Sequence, residues 1–187
     1  MFIQTEQTPN PATLKFLPGT GVISETNFDF TDSIQAETKS PLAARLFGVD
    51  GVSGVYIGRD FVSVTKTEDE DWYELKPAVL GAIMDHFMSG APVVDPSIVA
   101  EAEAEAESSD EDDDTVRQIK ELLDTRVRPA VAQDGGDIVF HGFERGIVYL
   151  HMQGACSGCP SSVITLKSGI ENLLRHYVPE VTEVRPI

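Results

Sequence analysis

Residues 92–114 form a tract that no compact core can absorb. It opens with Pro92 and Pro96, runs through Glu101-Ala102-Glu103-Ala104-Glu105-Ala106-Glu107 and closes on Ser108-Ser109-Asp110-Glu111-Asp112-Asp113-Asp114. Residues 101–114 hold nine acidic residues and no basic ones. Such a composition buries too little apolar surface to offset ordering and stays solvated. Glu101/Glu105 and Glu103/Glu107 are like charges at i,i+4, which weakens a helix. The tract therefore reads as a self-repelling, extended, flexible acidic linker. It leaves residues 1–91 and 115–187 as two pieces, each the size of a small domain. The expected fold class is α+β, with each domain a short sheet packed by helices.

Periodicity fills in both pieces. In the first, Thr13 to Leu17 and Phe28 to Phe30 read as short strands separated by Pro18-Gly19. Ser40-Pro41 is an N-cap followed by a first-turn proline, opening a helix through Leu42, Leu46 and Phe47. Val52 to Ile57 and Phe61 to Thr65 alternate around Gly58-Arg59-Asp60 as a hairpin. Leu75, Val79, Ile83 and Phe87 recur every fourth residue, so a second helix ends at Gly90. Pro77 places its start near Lys76. Trp72 reads as a packing residue.

In the second piece, Val116, Ile119, Leu123 and Val127 share one helix face, and Arg128-Pro129 should kink or end that helix. Gln133-Asp134-Gly135-Gly136-Asp137 is a turn. Strands follow at Ile138 to Phe143 and Ile147 to Met152, around Glu144-Arg145-Gly146. After Cys156-Ser157-Gly158-Cys159-Pro160 comes a helix with Val163, Leu166, Ile170, Leu173 and Tyr177 on one side, then a last strand near Val181 to Val184.

Charge excludes several classes of partner. The net charge is -17, and residues 115–187 carry eight acidic and eight basic residues, so the excess lies in the linker and the first hundred residues. Phosphate contacts need clustered Lys and Arg, which argues against nucleic acid and against anionic membrane surfaces. No run of about eighteen apolar residues could span a bilayer. Residues 1–6 resemble neither a secretory leader nor an Arg-rich transit peptide, so the expected compartment is a bacterial cytoplasm, with an organelle matrix as the alternative.

The chain's two cysteines, Cys156 and Cys159, form one Cys-x-x-Cys. This is no disulfide framework and fits a reducing compartment. Pro160 suits the first turn of a helix, so Cys159 falls near its N-cap. There the orphan N–H groups and the positive helix end favour thiolate. The flanking Gly154, Ala155, Ser157 and Gly158 let backbone approach a bulky object. Two thiolates fill half of a four-ligand site. A second chain across a two-fold axis would complete it. His86, His141, His151 and His176 read as half-exposed surface residues, not ligands. Three readings remain open from the residues: a cluster bridged between subunits, a thiol–disulfide oxidoreductase, and a structural zinc held by a dimer.

The second piece resembles the NifU C-terminal (Nfu) domain at Arg128-Pro129, Asp134-Gly135-Gly136-Asp137 and Gly154-Ala155-Cys156-Ser157-Gly158-Cys159-Pro160-Ser161-Ser162. The first resembles the domain that precedes it in mitochondrial-type Nfu proteins, at Thr8-Pro9-Asn10-Pro11-Ala12-Thr13-Leu14-Lys15-Phe16, Ser40-Pro41-Leu42-Ala43 and Trp72-Tyr73-Glu74-Leu75-Lys76-Pro77. The resemblance implies a carrier, not an enzyme. It would hold a [4Fe–4S] cluster, with [2Fe–2S] the other option, between the Cys156/Cys159 pairs of a homodimer. An upstream donor would load it, and apo iron–sulfur clients of the lipoyl synthase and aconitase types would receive the cluster. With no cysteines beyond this pair, the chain lacks the scaffold and ferredoxin-like domains of full-length NifU. Late transfer is therefore expected, and the first domain is expected to recognise clients or donors.

Overall fold

The computed structural model describes residues 1–187 other than 21, 22, 24, 25, 108–112 and 159. Among the described residues, β1 (Gln4–Gln7), β2 (Thr13–Leu17), β3 (Phe28–Phe30), β4 (Val52–Ile57) and β5 (Val62–Lys66) form one antiparallel sheet in the order β1-β2-β5-β4-β3. Alternation along β2 sends Leu14 and Phe16 to one face and Thr13 and Lys15 to the other, and all four are buried. The apolar face packs under α1 (Ser33–Lys39), α2 (Pro41–Phe47) and α3 (Trp72–Ser89), joining Leu42, Leu46, Leu75, Val79 and Ile83 in one core. The expected Ser40 cap is present, with its hydroxyl accepting from the Ala43 N–H at 3.0 Å. The expected hairpin is also present, with Ile57 opposite Val62 and Val55 opposite Val64.

Two elements escaped the periodicity. β1 is polar throughout and holds through its ladder to β2. In α1, capped by Asp32, the buried residue is Ala36. α3 begins at Trp72 rather than near Lys76. Asp71 caps the Tyr73 N–H at 2.8 Å, and Trp72 donates its indole N–H to the Pro11 carbonyl at 3.1 Å. The first turn is thus held by contacts that do not need the N–H missing at Pro77. His86 is fully buried near the end of α3, contrary to the surface placement expected of it. Phe87 is half-buried beside it.

The acidic tract also differs from the extended form expected. Residues Pro96–Glu107 are helical (α4). The Asp95 carboxylate accepts from the Ser97 N–H at 2.9 Å, and the Asp95 N–H donates to the Lys39 carbonyl at 2.8 Å. Val94 is buried, and Ile98 and Val99 pack on the N-terminal core. Anchored in this way, the Ala/Glu run keeps its strong helix propensity, which outweighs i,i+4 repulsions of about 0.2–0.5 kcal/mol each.

In the second half, α5 (Asp114–Leu122) passes through a π-helical turn, Leu123–Val127, into α6 (Arg128–Gln133). The kink expected at Arg128-Pro129 is this wide turn. The Arg128 N–H reaches back five residues to the Leu123 carbonyl, and the helix continues past the proline. β6 (Gly136–Glu144) and β7 (Ile147–Gly154) form the hairpin, and β8 (Glu183–Pro186) lies parallel to β7. α7 (Pro160–Tyr177) supplies the crossover. Among its described residues Ile170 and Leu174 are buried, whereas Tyr177 faces outward. No described helix is long and apolar enough to cross a membrane.

Candidate functional site

Cys156 lies in the turn between β7 and α7. Cys159 lies outside the described residues. Two segments distant in sequence are laced together here. The Ala155 N–H donates to the Gly135 carbonyl at 3.1 Å, and the Cys156 and Ser157 N–H groups donate to Gln153 and Gly154 carbonyls at 3.3 and 3.0 Å. The approach is as close as glycine permits. A Cβ on Gly136 would sit 2.5 Å from Cys156 Sγ and 2.8 Å from its backbone nitrogen. Gly154, at φ +60°, would place one 2.7 Å from the Gly135 carbonyl oxygen. The second glycine of the Asp-Gly-Gly-Asp segment therefore seats the thiol, a role that the turn reading did not contain.

Cys156 is 5% exposed and joins the C-terminal core. It borders a cavity of about 340 Å³ lined also by Pro9, Val131, Asp134, Ala155, Thr165 and Leu166. Pro9 comes from the N-terminal half, so both halves wall the site.

Asp137, 2% exposed, anchors the loop. Arg128 grips it through two N–H···O bonds, Nε to Oδ1 at 2.9 Å and Nη2 to Oδ2 at 2.8 Å. The Ile138 N–H donates to Oδ1 at 2.8 Å, and Asn27 Nδ2 donates to Oδ2 at 2.9 Å. The Tyr56 hydroxyl completes the set, and its pKa is raised by burial first and by Asp137 second. The Arg128 guanidinium is held charged chiefly by its hydrogen bonds to Asp137. With this many donors around it, the buried carboxyl of Asp137 has its hydrogen-bonding capacity met. Burial raises the pKa of Asp29, which receives the Gly154 N–H, although that bond and His151 pull the other way.

Three further N-terminal donors end on C-terminal carbonyls. Asn10 Nδ2 donates to Ser157 O at 3.2 Å, Lys15 Nζ to Gln133 O at 3.2 Å and Ser63 Oγ to Gly135 O at 2.6 Å. The sequence carried no sign of this seam. Lys15 and Ser63 alternate with apolar neighbours, as on any solvent-facing strand. His141, His151 and His176 are exposed, and among the described residues no group of three or more His, Cys, Asp or Glu is arranged to hold a metal ion.

Comparison with known proteins bears on both halves. Residues 3–90 match the family described as "Scaffold protein Nfu/NifU N terminal", and residues 119–185 match the "NifU-like domain". A Drosophila sechellia protein named "NFU1 iron-sulfur cluster scaffold homolog, mitochondrial" is 52% identical over 188 residues, covering 100% of this chain and 65% of that protein. The human protein of the same name is 50% identical over 188 residues, covering 100% of this chain and 72% of its own length. The chain thus spans about two thirds of the length of these relatives. A solution structure of a NifU-like protein from Saccharomyces cerevisiae is 26% identical, with a TM-score of 0.46, covering 51% of this chain and 86% of that one.

Proposed function

The chain belongs to the Nfu family of iron–sulfur cluster scaffold homologues, and we propose that it carries a [4Fe–4S] cluster between the Cys156/Cys159 pairs of two copies and hands it to apo-proteins. The observation that carries the reading is the seat of Cys156, a thiol on a turn that opens onto a cavity, with glycine where any side chain would collide with its sulfur. The cluster is cargo, not a resident group. Two thiolates per chain hold it by half of its coordination sphere, so it stays near a subunit boundary and can be released. No bond of a substrate need be made or broken by the protein, so the role is carrying rather than catalysis.

The relatives' names support a scaffold role and, by the word mitochondrial, favour an organelle matrix over a bacterial cytoplasm. Partners on this reading are a second copy of the chain, an upstream donor and apo iron–sulfur clients, with the N-terminal half recognising donor or client.

Anaerobic reconstitution with iron and sulfide tests this. The expected product is a dimer by sedimentation with about two iron and two sulfide per chain, as one shared [4Fe–4S] cluster requires. About one of each would indicate [2Fe–2S]. Cys156→Ser should abolish loading and leave the circular dichroism spectrum intact. A protein that takes up zinc but no iron, or a metal-free monomer with dithiol oxidoreductase activity, would refute the proposal.

A further inference from the structure

The N-terminal sheet has two faces with different chemistry. One is the apolar core face. The other carries Thr13, Lys15, Tyr56 and Ser63, each no more than 7% exposed. A solvent-facing strand surface would not bury them. Three of them meet the C-terminal half, Lys15 at Gln133, Tyr56 at Asp137 and Ser63 at Gly135.

The recognition is directed at main chain. Asn10, Lys15 and Ser63 each donate to a backbone carbonyl, of Ser157, Gln133 and Gly135 respectively. The contact therefore requires a loop whose backbone can come this close. A Cβ on Gly135 would lie 2.8 Å from Ser63 Oγ and 3.1 Å from the Thr8 methyl. Asn27 and Tyr56 add a side-chain clamp on Asp137. Cys156 packs in the C-terminal core at 5% exposure, and Pro9 is the N-terminal residue beside it.

We propose that this polar sheet face is a docking surface for two adjacent turns of the chain's own C-terminal half, the one between α6 and β6 and the one bearing Cys156, and that docking and cargo compete for Cys156. The second clause rests on the cluster-carrying reading above. Asn10 and Asp29 hold Ser157 and Gly154 on either side of Cys156, so a partner's loop cannot bring its thiolates alongside while the N-terminal half stays packed there, and loading requires the two halves to part. Loading then uncovers Asn10 and Ser63 as donors available to another protein, together with Lys15, which keeps its ion pair to Glu6 at 3.4 Å.

The test uses the full apo chain. Iodoacetamide labelling of Cys156 is followed by mass spectrometry in the native chain, in the urea-unfolded chain and in Ser63→Glu, which sets a carboxylate against the Gly135 carbonyl. Gln35→Glu on the exposed side of α1 adds the same charge away from the seam. Trp72 emission reports that the N-terminal core is intact. Native labelling should be slow relative to the unfolded chain. Ser63→Glu should accelerate it roughly tenfold or more, since a hydrogen bond is lost and a buried charge is left unpaired, with Gln35→Glu unchanged. Lys15 is 7% exposed in the docked chain, so its acetylation, read by mass spectrometry, should be faster after reconstitution of the wild type. Fast cysteine labelling of the native chain, or no response in Ser63→Glu with Trp72 emission native, overturns docking, and unchanged Lys15 acetylation after loading overturns competition. Iron content is measured separately: a chain that binds no iron yet responds in labelling keeps the docking surface and loses the cluster reading.

Discussion

Replacing Gly136 with alanine tests the seat of Cys156 most directly. The new Cβ would fall 2.5 Å from Cys156 Sγ, 2.8 Å from its backbone nitrogen and 3.0 Å from the Gln153 carbonyl oxygen. The sulfur could swing aside. The two backbone atoms cannot, because Gly136 pairs with Gly154 in the β6–β7 ladder and the Cys156 N–H is bonded to Gln153. Forcing a methyl group into such a space costs about 1–3 kcal/mol. Restricting the unfolded chain returns about 0.4–1 kcal/mol. The net destabilisation is about 1–2 kcal/mol, or roughly 4–15 °C in Tm for a unit of this size. Thermal unfolding by far-UV circular dichroism measures it. Two matched controls come from the same half. At Gly142 on β6 and Gly169 on α7 an added methyl group would meet nothing within 4 Å, so Gly142→Ala should be near neutral and Gly169→Ala should gain about 0.5–1 kcal/mol. A Gly136→Ala protein that melts with or above Gly142→Ala would refute the argument that this glycine exists to seat the thiol.

Other outcomes follow from the same geometry. Asp137→Ala leaves the inner side of Arg128 uncompensated and should cost about 2–4 kcal/mol in urea unfolding, whereas Asp124→Ala at the exposed end of the same guanidinium should cost under about 1 kcal/mol; equal costs would contradict the anchoring role. His86 is fully buried, the backbone of Ala91 and Pro92 approaches its ring without either nitrogen completing a hydrogen bond, and burial, then Arg45, lowers its pKa. Its depressed folded pKa means stability is present above the unfolded value of about 6.5 and is lost as pH falls through the folded value. His86→Leu should therefore flatten the acid limb of the Tm–pH curve, and an unchanged limb would contradict this. Asp29 has the opposite sign. Its folded pKa is raised by burial, so its contribution is full below the unfolded value of about 3.9 and is lost as pH rises through the folded one. Asp29→Asn should raise Tm at pH 7.5 relative to wild type, and calorimetry at pH 4.5 should find a smaller difference.

How much was readable differs from element to element. The Ser40-Pro41 start, the β4–β5 and β6–β7 hairpins and the passage from strand through Cys156 to helix each depend on a few adjacent residues, and each was legible. The acidic tract misled because its charges argue against a helix, while Val94, Ile98 and Val99, which hold α4 to a core built from residues far upstream, give no local signal. His86 misled for a related reason, since helical spacing places it beside the apolar stripe without saying how wide the covered face is.

Repulsion, propensity, capping and turn chemistry act over three or four positions, so the amino-acid order alone determined the elements, the two halves and the cysteine pair. Contacts such as Ser63 with Gly135, 72 residues apart, and Lys15 with Gln133, 118 apart, depend on which surface meets which after both halves have formed. Only the tertiary structure could decide that Lys15, Tyr56 and Ser63 on the second face of the N-terminal sheet are buried against the turn between α6 and β6, beside the loop bearing Cys156.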